Sequence, residues 1–320
     1  MMQRVTTTAL LFIAGFLFAA DQPTVIVLTG ASGKAEYGRL FAKWAGQWKQ
    51  AAAKGGAEYH HIGKTLEATA KENFKKLISN QAPKAKSPLW LVLIGHGTFD
   101  GKKAKFNLRG PDLEAGELAA WLKDFQRPLA IINCSSSSAP FLAALSGEGR
   151  VVLTATRSGF EQNFSRLGGY LASAIGGVGA DFDKDGQTSL LEAWLAAARH
   201  TAGFYKNENR LATEHTILDD NGDGKGTPAD FYRGLRVTKK SDDAKLLPDG
   251  LRAHQLHLIP SAEERKLTPA KRAERNRLEL EYAQLRARKD GMELEEFYKQ
   301  LEKLLRDLGR IYFPAGKIGE

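Results

Sequence analysis

Two residues far apart in the chain, His96 and Cys134, have the types and settings that nucleophilic chemistry requires. Cys134 is the single cysteine, so no internal disulfide can consume it. A thiol attacks as its thiolate, and a nearby imidazole lowers the thiol pKa and carries a proton to the leaving group. Each residue follows an apolar run. Pro88–Ile94 (PLWLVLI) leads into Gly95-His96-Gly97, and Pro128–Ile132 (PLAII) leads into Asn133-Cys134-Ser135. Gly97 leaves its N–H approachable, so the amides of Gly97 and Cys134 are candidates to hold a developing oxyanion. The run Ser135–Ser138 puts no bulk at the start of the next helix, whose positive end favours a thiolate. A cysteine at a strand end is more often core than nucleophile; its pairing with a strand-end His-Gly gives the chemical reading its weight.

Further along, two loops carry oxygen donors at alternate positions. Asp181, Asp183 and Asp185 occupy positions 1, 3 and 5 of a twelve-residue stretch, with Gly186 at 6, Gln187 at 7, Ser189 at 9 and Glu192 at 12. That spacing fits an EF-hand calcium loop, because a hard cation needs many oxygens and a tight loop turns alternate positions inward. The following Ala193–Phe204 has helical character, as the motif expects. A second loop repeats the spacing with Asp219, Asn221, Asp223, Lys225 and Asp230 at positions 1, 3, 5, 7 and 12. Asp230 is shorter than the usual Glu, and an Asn/Asp/Gly-rich surface loop is the competing reading there. The expected cofactor is Ca2+, with no organic cofactor.

The elements that must position these groups read as strands alternating with helices. Thr24–Thr29, Pro88–Ile94, Pro128–Ile132 and Arg150–Thr154 look like buried strands, and Glu58–Ile62 like a weaker one. Helical patterns fall at about Glu36–Ala53, Leu66–Ser79, Glu114–Phe125 and Phe164–Ile175, with Ala104–Arg109 as a short extra strand. This order predicts an α/β fold with a mostly parallel sheet and helices on both faces. In such sheets ligands bind beyond the carboxyl ends of the strands, so His96 and Cys134 are expected to share one edge.

A strand ending in His-Gly, then about forty residues, then a strand ending in Cys, resembles the caspase-like cysteine peptidases: caspases, legumains and gingipains. The legumain branch, the C13 family, is the most similar. Gly30-Ala31-Ser32-Gly33 matches its small-residue loop after the first strand, and Thr154-Ala155-Thr156 matches its Thr-Ala element. The resemblance covers about Pro23–Gly179. It implies a three-layer caspase-like sandwich, a His96/Cys134 catalytic dyad, an oxyanion hole from the Gly97 and Cys134 amides, and peptide or protein substrates. Asn133-Cys134-Ser135-Ser136 departs from the usual family context around the Cys, and no specificity-pocket residue can be matched. Arg157 and Ser158–Phe164 are candidates for a pocket wall.

The rest of the chain bounds this reading. Residues 1–20, with Arg4 ahead of the apolar Ala9–Ala20, read as an export signal, which places the mature protein in the periplasm or outside the cell. No later segment is long and apolar enough to suggest a membrane span. The net charge of +9 is spread through mixed-charge stretches such as Ala262–Leu308 without a basic-aromatic module, which argues against nucleic acid. Gly33-Lys34 lacks the Ser/Thr and the first Gly of a phosphate loop, and no Gly-x-Ser-x-Gly elbow occurs. The expected organisation is therefore a catalytic domain over 23–180, a calcium-loop region over 181–238, a linker over 239–267, and a helical hairpin over 268–313. Leu294, Phe297, Leu301, Leu304, Leu308 and Ile311 form a heptad-like stripe on the second hairpin helix. The hairpin either packs on the main domain or makes a homo-oligomer. Two functions follow: a cysteine endopeptidase with structural calcium, or a catalytically inactive calcium-dependent binding or scaffold protein on the same fold.

Overall fold

In the computed structural model, residues 22–64, 68–238 and 247–313 are described. The expected export signal, the start of the Leu66–Ser79 helix and part of the 239–267 segment lie outside them. Among the described residues no helix is long and apolar enough to cross a membrane.

The apolar runs become strands β1 (Thr24–Thr29), β2 (Glu58–Ile62) and β3 (Leu89–Ile94), then, past a small side sheet of β4 (Gly97–Phe99), β5 (Ala104–Phe106) and β6 (Leu113–Glu114), strands β7 (Leu129–Asn133) and β8 (Arg150–Thr154). Two short strands, β9 (Ile217–Asp219) and β10 (Thr227–Pro228), complete a seven-stranded sheet in the order β10-β9-β8-β7-β3-β1-β2. The five long strands are parallel, and β9 and β10 close one edge antiparallel. Every residue of central β3 is buried, as a strand covered on both faces must be.

Helices α1 (Ala35–Gly55), α2 (Ala70–Ser79), α3 (Ala115–Trp121), α4 (Ala139–Leu145), α5 (Leu167–Ile175) and α6 (Leu190–Asn207) cover the two faces. Strand alternation sorts the core. Trp90, Val92, Ile94, Ala130, Ile132 and Cys134 face α1, α5 and α6, whereas Leu91, Leu93, Leu129 and Ile131 face α2, α3 and α4. Each fully buried aliphatic or aromatic side chain is worth about 1.5–3 kcal/mol, so these two clusters dominate the stability of the three-layer sandwich. The expected fold class is the observed one.

Beyond the sheet lie α7 (Leu251–His254), α8 (Pro269–Ala287) and α9 (Leu294–Tyr312). Thr268 caps α8 by accepting from the Lys271 N–H, with Pro269 at the first helical position. The described part of the expected linker is not a free connection. Leu258 is fully buried, and its carbonyl lies where a Cβ on Gly55 would stand. Glu264 is buried too and binds Arg272 and Arg275 of α8, which fastens the hairpin to the main body. The polar Glu264, inside the expected linker, is instead paired over long range.

Candidate functional site

His96 and Cys134 follow neighbouring strands. β3 and β7 pair in parallel with Leu93 opposite Asn133, and Thr29 and Thr154 end at the same edge. Both side chains lie on the α1/α5 face. The His96 ring packs edge-on against Tyr37 and Phe41 and lies 5.9 Å from the Phe164 ring, which in turn lies 6.0 Å from Trp44. Cys134 meets the same wall from the other side: a Cβ on Gly168 would stand 2.9 Å from its Cβ and 3.0 Å from Trp44.

The two groups are not hydrogen-bonded to one another. The His96 Nε2 atom lies 3.2 Å from the Ser32 carbonyl oxygen, and burial lowers the imidazole pKa while that carbonyl raises it. Cys134 is only 1 % exposed, and burial, aided by the negative charge of Glu214, pushes its thiol up to about 12. This environment is the reverse of the one that makes a thiolate at neutral pH. Glu214 is held in place by Ser165 Oγ, the Arg166 and Leu167 amides at the start of α5, and Tyr205 Oη.

Both amides expected to face an oxyanion have partners. The Cys134 N–H continues the β3–β7 ladder by donating to the Leu93 carbonyl at 2.9 Å, which corrects its expected role. The Gly97 N–H donates to Ser136 Oγ at 3.1 Å, and the same buried hydroxyl donates back to the Gly97 carbonyl at 3.1 Å. All four serines of Ser135–Ser138 are buried. Ser135 Oγ lies against Gly97 and donates to Asn133 Oδ1, and Ser137 adopts a left-handed φ of 53° with its hydroxyl buried and unpartnered. The 158–164 segment touches this run through Glu161, whose carbonyl accepts from the Ser137 N–H and whose carboxylate binds His215 and Arg157. Phe160, in the same segment, is exposed beside Phe99.

The first acidic loop folds back on its own amides. Asp181 accepts from the amides of Lys184 and Gly186, Asp183 from that of Asp185, and Asp185 from that of Gln187. Lys184 and Gly186 take φ values of 67° and 85°, turning the chain so that carboxylate oxygens of Asp181, Asp183 and Asp185 lie within 4.8 Å of one another. The Gln187 side chain turns aside: its Oε1 accepts from the Ser261 N–H. Glu192 is fully buried. Its Oε1 accepts from the Phe182 and Asp183 amides, and its Oε2 from Ser189 Oγ and N–H, a capping box that starts α6.

The second loop repeats this network amide for amide. Asp219 accepts from Gly222 and Gly224, Asn221 from Asp223, and Asp223 from Lys225. The expected last donor is not there: Asp230 is exposed, in a short 3-10 turn. Its place is taken by Asp249. Asp249 Oδ1 accepts from the amides of Asp220 and Asn221, and its Oδ2 from Thr227 Oγ1. These are loop positions 2, 3 and 9, the same three that Glu192 holds in the first loop. Burial, then the charges of Asp220 and Asp219, raise Asp249 to about 7. Asp220 in turn accepts from the amides of Gly250 and Ala253, so the loop and α7 clamp one another. Sequence reading missed Asp249 because it lies nineteen residues beyond the position its role implies (249 against 230); its one local mark is the Pro248-Asp249-Gly250 turn.

His60 and His61, read as core or surface groups, behave so: His60 pairs with Glu58, and His61 Nε2 meets Thr29 Oγ1 at 2.7 Å.

No protein-family model matches the chain, and no curated protein matches it significantly. Among solved structures it is similar to the Drosophila initiator caspase Dronc, at 12% identity over 64% of this chain and 81% of that one, with a TM-score of 0.40. Caspase-1 from Spodoptera frugiperda aligns at 8% identity over 62% and 86% of the two chains, with a TM-score of 0.39. Protein GSU0716 from Geobacter sulfurreducens aligns at 13% identity over 62% and 92%, with a TM-score of 0.40.

Proposed function

We propose that this chain is an exported cysteine endopeptidase of the caspase and legumain type, held closed in the conformation described, and braced by two structural calcium ions. One observation carries the peptidase reading: an imidazole and a thiol that follow adjacent parallel strands and flank one aromatic wall, at the sheet edge where α/β folds place ligands. In the open enzyme Cys134 gives its thiol proton to His96 as its sulfur bonds to the peptide carbonyl carbon, and the carbonyl π pair moves onto the oxygen. Collapse of that adduct breaks the C–N bond, and His96 gives a proton to the departing amine. Water then cleaves the thioester, releasing the carboxylic acid product and the thiol. Opening requires the Phe164 segment and α5 to move off Cys134, and the Gly97 N–H to exchange Ser136 for the substrate oxygen.

The donor sets of the two loops fit calcium: carboxylates, one amide oxygen and backbone carbonyls, on backbones already turned inward. Asp181, Asp183, Asp185, Gln187 and Glu192 would hold one ion, with Ser189 alongside. Asp219, Asn221, Asp223, Lys225 and Asp249 would hold the other. Calcium supplies charge neutralisation and cross-linking there, not chemistry on a substrate.

The burial of the Cys134 thiol favours a second reading, a catalytically silent binding protein on the same fold. Labelling the purified protein with peptidyl electrophiles carrying Asn, Asp, Arg or Lys at P1, with and without calcium, separates the two. Labelling lost in both Cys134→Ala and His96→Ala but kept in Ser135→Ala supports the peptidase. A folded, calcium-loaded protein that no electrophile labels, before or after limited proteolysis of the 158–164 segment, sinks it and leaves the silent reading.

A further inference from the structure

After the second acidic loop the chain makes a hairpin whose two faces differ. Strands β11 (Tyr232–Arg233) and β12 (Arg236–Val237) pair antiparallel around the two-residue turn Gly234-Leu235, where Gly234 takes a left-handed φ of 61°. The inner face is anchored. Tyr232 packs edge-on against Trp194 of α6, Leu235 joins the same core cluster, and the Thr238 N–H and hydroxyl both donate to the Phe231 carbonyl at 2.7 Å. Alternation puts Phe231, Arg233, Arg236 and Thr238 on the other face, and all four are exposed. Arg233 and Arg236 stand directly opposite one another across the strand pair. Like charges in that position destabilise a hairpin. Elsewhere exposed arginines find a carboxylate one turn away: Arg277 binds Glu281, Arg306 binds Glu302 and Arg310 binds Asp307. Among the described residues neither Arg233 nor Arg236 has a carboxylate or hydrogen-bond partner for its guanidinium. Asp230, the nearest acidic residue in the chain, lies in the 3-10 turn before the hairpin and pairs with neither.

We propose that the Arg233–Arg236 pair is a clamp for a phosphate group. Local rules of strand pairing are broken chiefly where a function repays the cost, and an anion held between two opposed arginines repays it directly. Each guanidinium offers a planar fork of N–H donors. A planar carboxylate is matched by one fork, whereas the tetrahedral oxygens of a phosphate point in different directions and accept from both. The negative charge also removes the repulsion between the two arginines. Because the inner face is fixed on Trp194, binding orders two side chains and leaves the backbone as it stands. The same chemistry has two sources, a soluble phosphate ester and a phospholipid headgroup. The Phe231 ring, 36 % exposed on the same face, offers an apolar surface to the carbon skeleton of either.

Isothermal titration calorimetry of the purified chain with inorganic phosphate tests the clamp, in chelator so that no calcium ion can bridge the anion to the acidic loops. The expected result is millimolar binding, weakened about tenfold by Arg233→Gln or by Arg236→Gln and absent from the double variant. The double variant should melt no lower than the wild type, because it removes a like-charge contact. Arg233→Lys with Arg236→Lys keeps the charge and loses the forks, and should weaken binding as well. Vesicles identify the source. Co-sedimentation with phosphatidylglycerol but not phosphatidylcholine vesicles, lost in the double Gln variant, assigns the headgroup; phosphate binding without vesicle binding assigns a soluble ester. A wild-type chain that takes up neither phosphate nor phosphatidylglycerol, or binding that survives in the double Gln variant, overturns the proposal. Acetate bound as tightly as phosphate at the same ionic strength overturns the choice of ligand.

Discussion

A thiol is only as reactive as its surroundings allow, and Cys134 sits in apolar packing near a carboxylate. With its pKa pushed up to about 12, the thiolate fraction at neutral pH is very small, and it grows tenfold per pH unit until the pH reaches that value. In the closed conformation, alkylation by a small electrophile should therefore rise log-linearly between about pH 7 and 11 with no plateau. A plateau near neutral pH would mean that an activated Cys134–His96 pair is populated in solution. Asp249 makes a second prediction at this scale. Asp249→Asn should reduce bound calcium from two ions to one in equilibrium dialysis, whereas Asp230→Asn should leave both. The opposite pattern would restore Asp230 as the closing ligand. The positions of His96, Cys134 and the first loop were legible in the sequence because they show in local context: a strand end or a fixed loop spacing. Asp249 was not, because its partners are Asp220, Asn221 and Thr227, which chain folding alone brings to it.

Among the elements, α5 covers the candidate centre. Its Gly168-Gly169 pair lets the helix approach Trp44 and Cys134 more closely than any side chain would permit. Gly168→Ala should destabilise the protein by about 1–3 kcal/mol in urea unfolding, because the added methyl must push aside Cys134 or the Trp44 ring. The same variant should speed Cys134 alkylation if α5 yields rather than the sheet. The polar lock under α8 is a different kind of contact. Glu264 and Arg275 are both buried, so Glu264→Ala leaves the guanidinium with only Asn276 and Glu279 as partners among the described residues and should cost about 1.5–3 kcal/mol. The parallel strands could be read from their apolar runs, since a strand covered on both faces needs apolar residues at every position. The segment following Leu247 could not, because its polar residues look like linker until Glu264 and Asp249 find their partners.

For the whole molecule, the two acidic loops stand at the two ends of α6 and its following segment and tie the sheet to the C-terminal region. Loop 181–192 reaches α7 through Asp183 and His254, and loop 219–227 reaches it through Asp249 and Asp220. Saturating calcium should therefore raise the melting temperature by about 5–10 °C over a chelator-treated sample, given ligand far above its dissociation constant. An unmoved transition would exclude a structural role for the ion in either loop. The sandwich itself, with its two apolar clusters, should remain folded without calcium, since neither cluster depends on a loop carboxylate.

The distant origin of Asp249 also gives the two loops different histories during folding. The first loop gathers all its donors within twelve residues, so it can form while most of the chain is still unstructured. The second must close thirty residues of chain, from Asp219 to Asp249, and that closure waits for β9 and α7 to be in place. Calcium at the first loop should then speed refolding, whereas calcium at the second should chiefly slow unfolding. Stopped-flow kinetics on Asp183→Asn and Asp249→Asn chains would separate the arms: one variant refolding slowly, the other coming apart quickly.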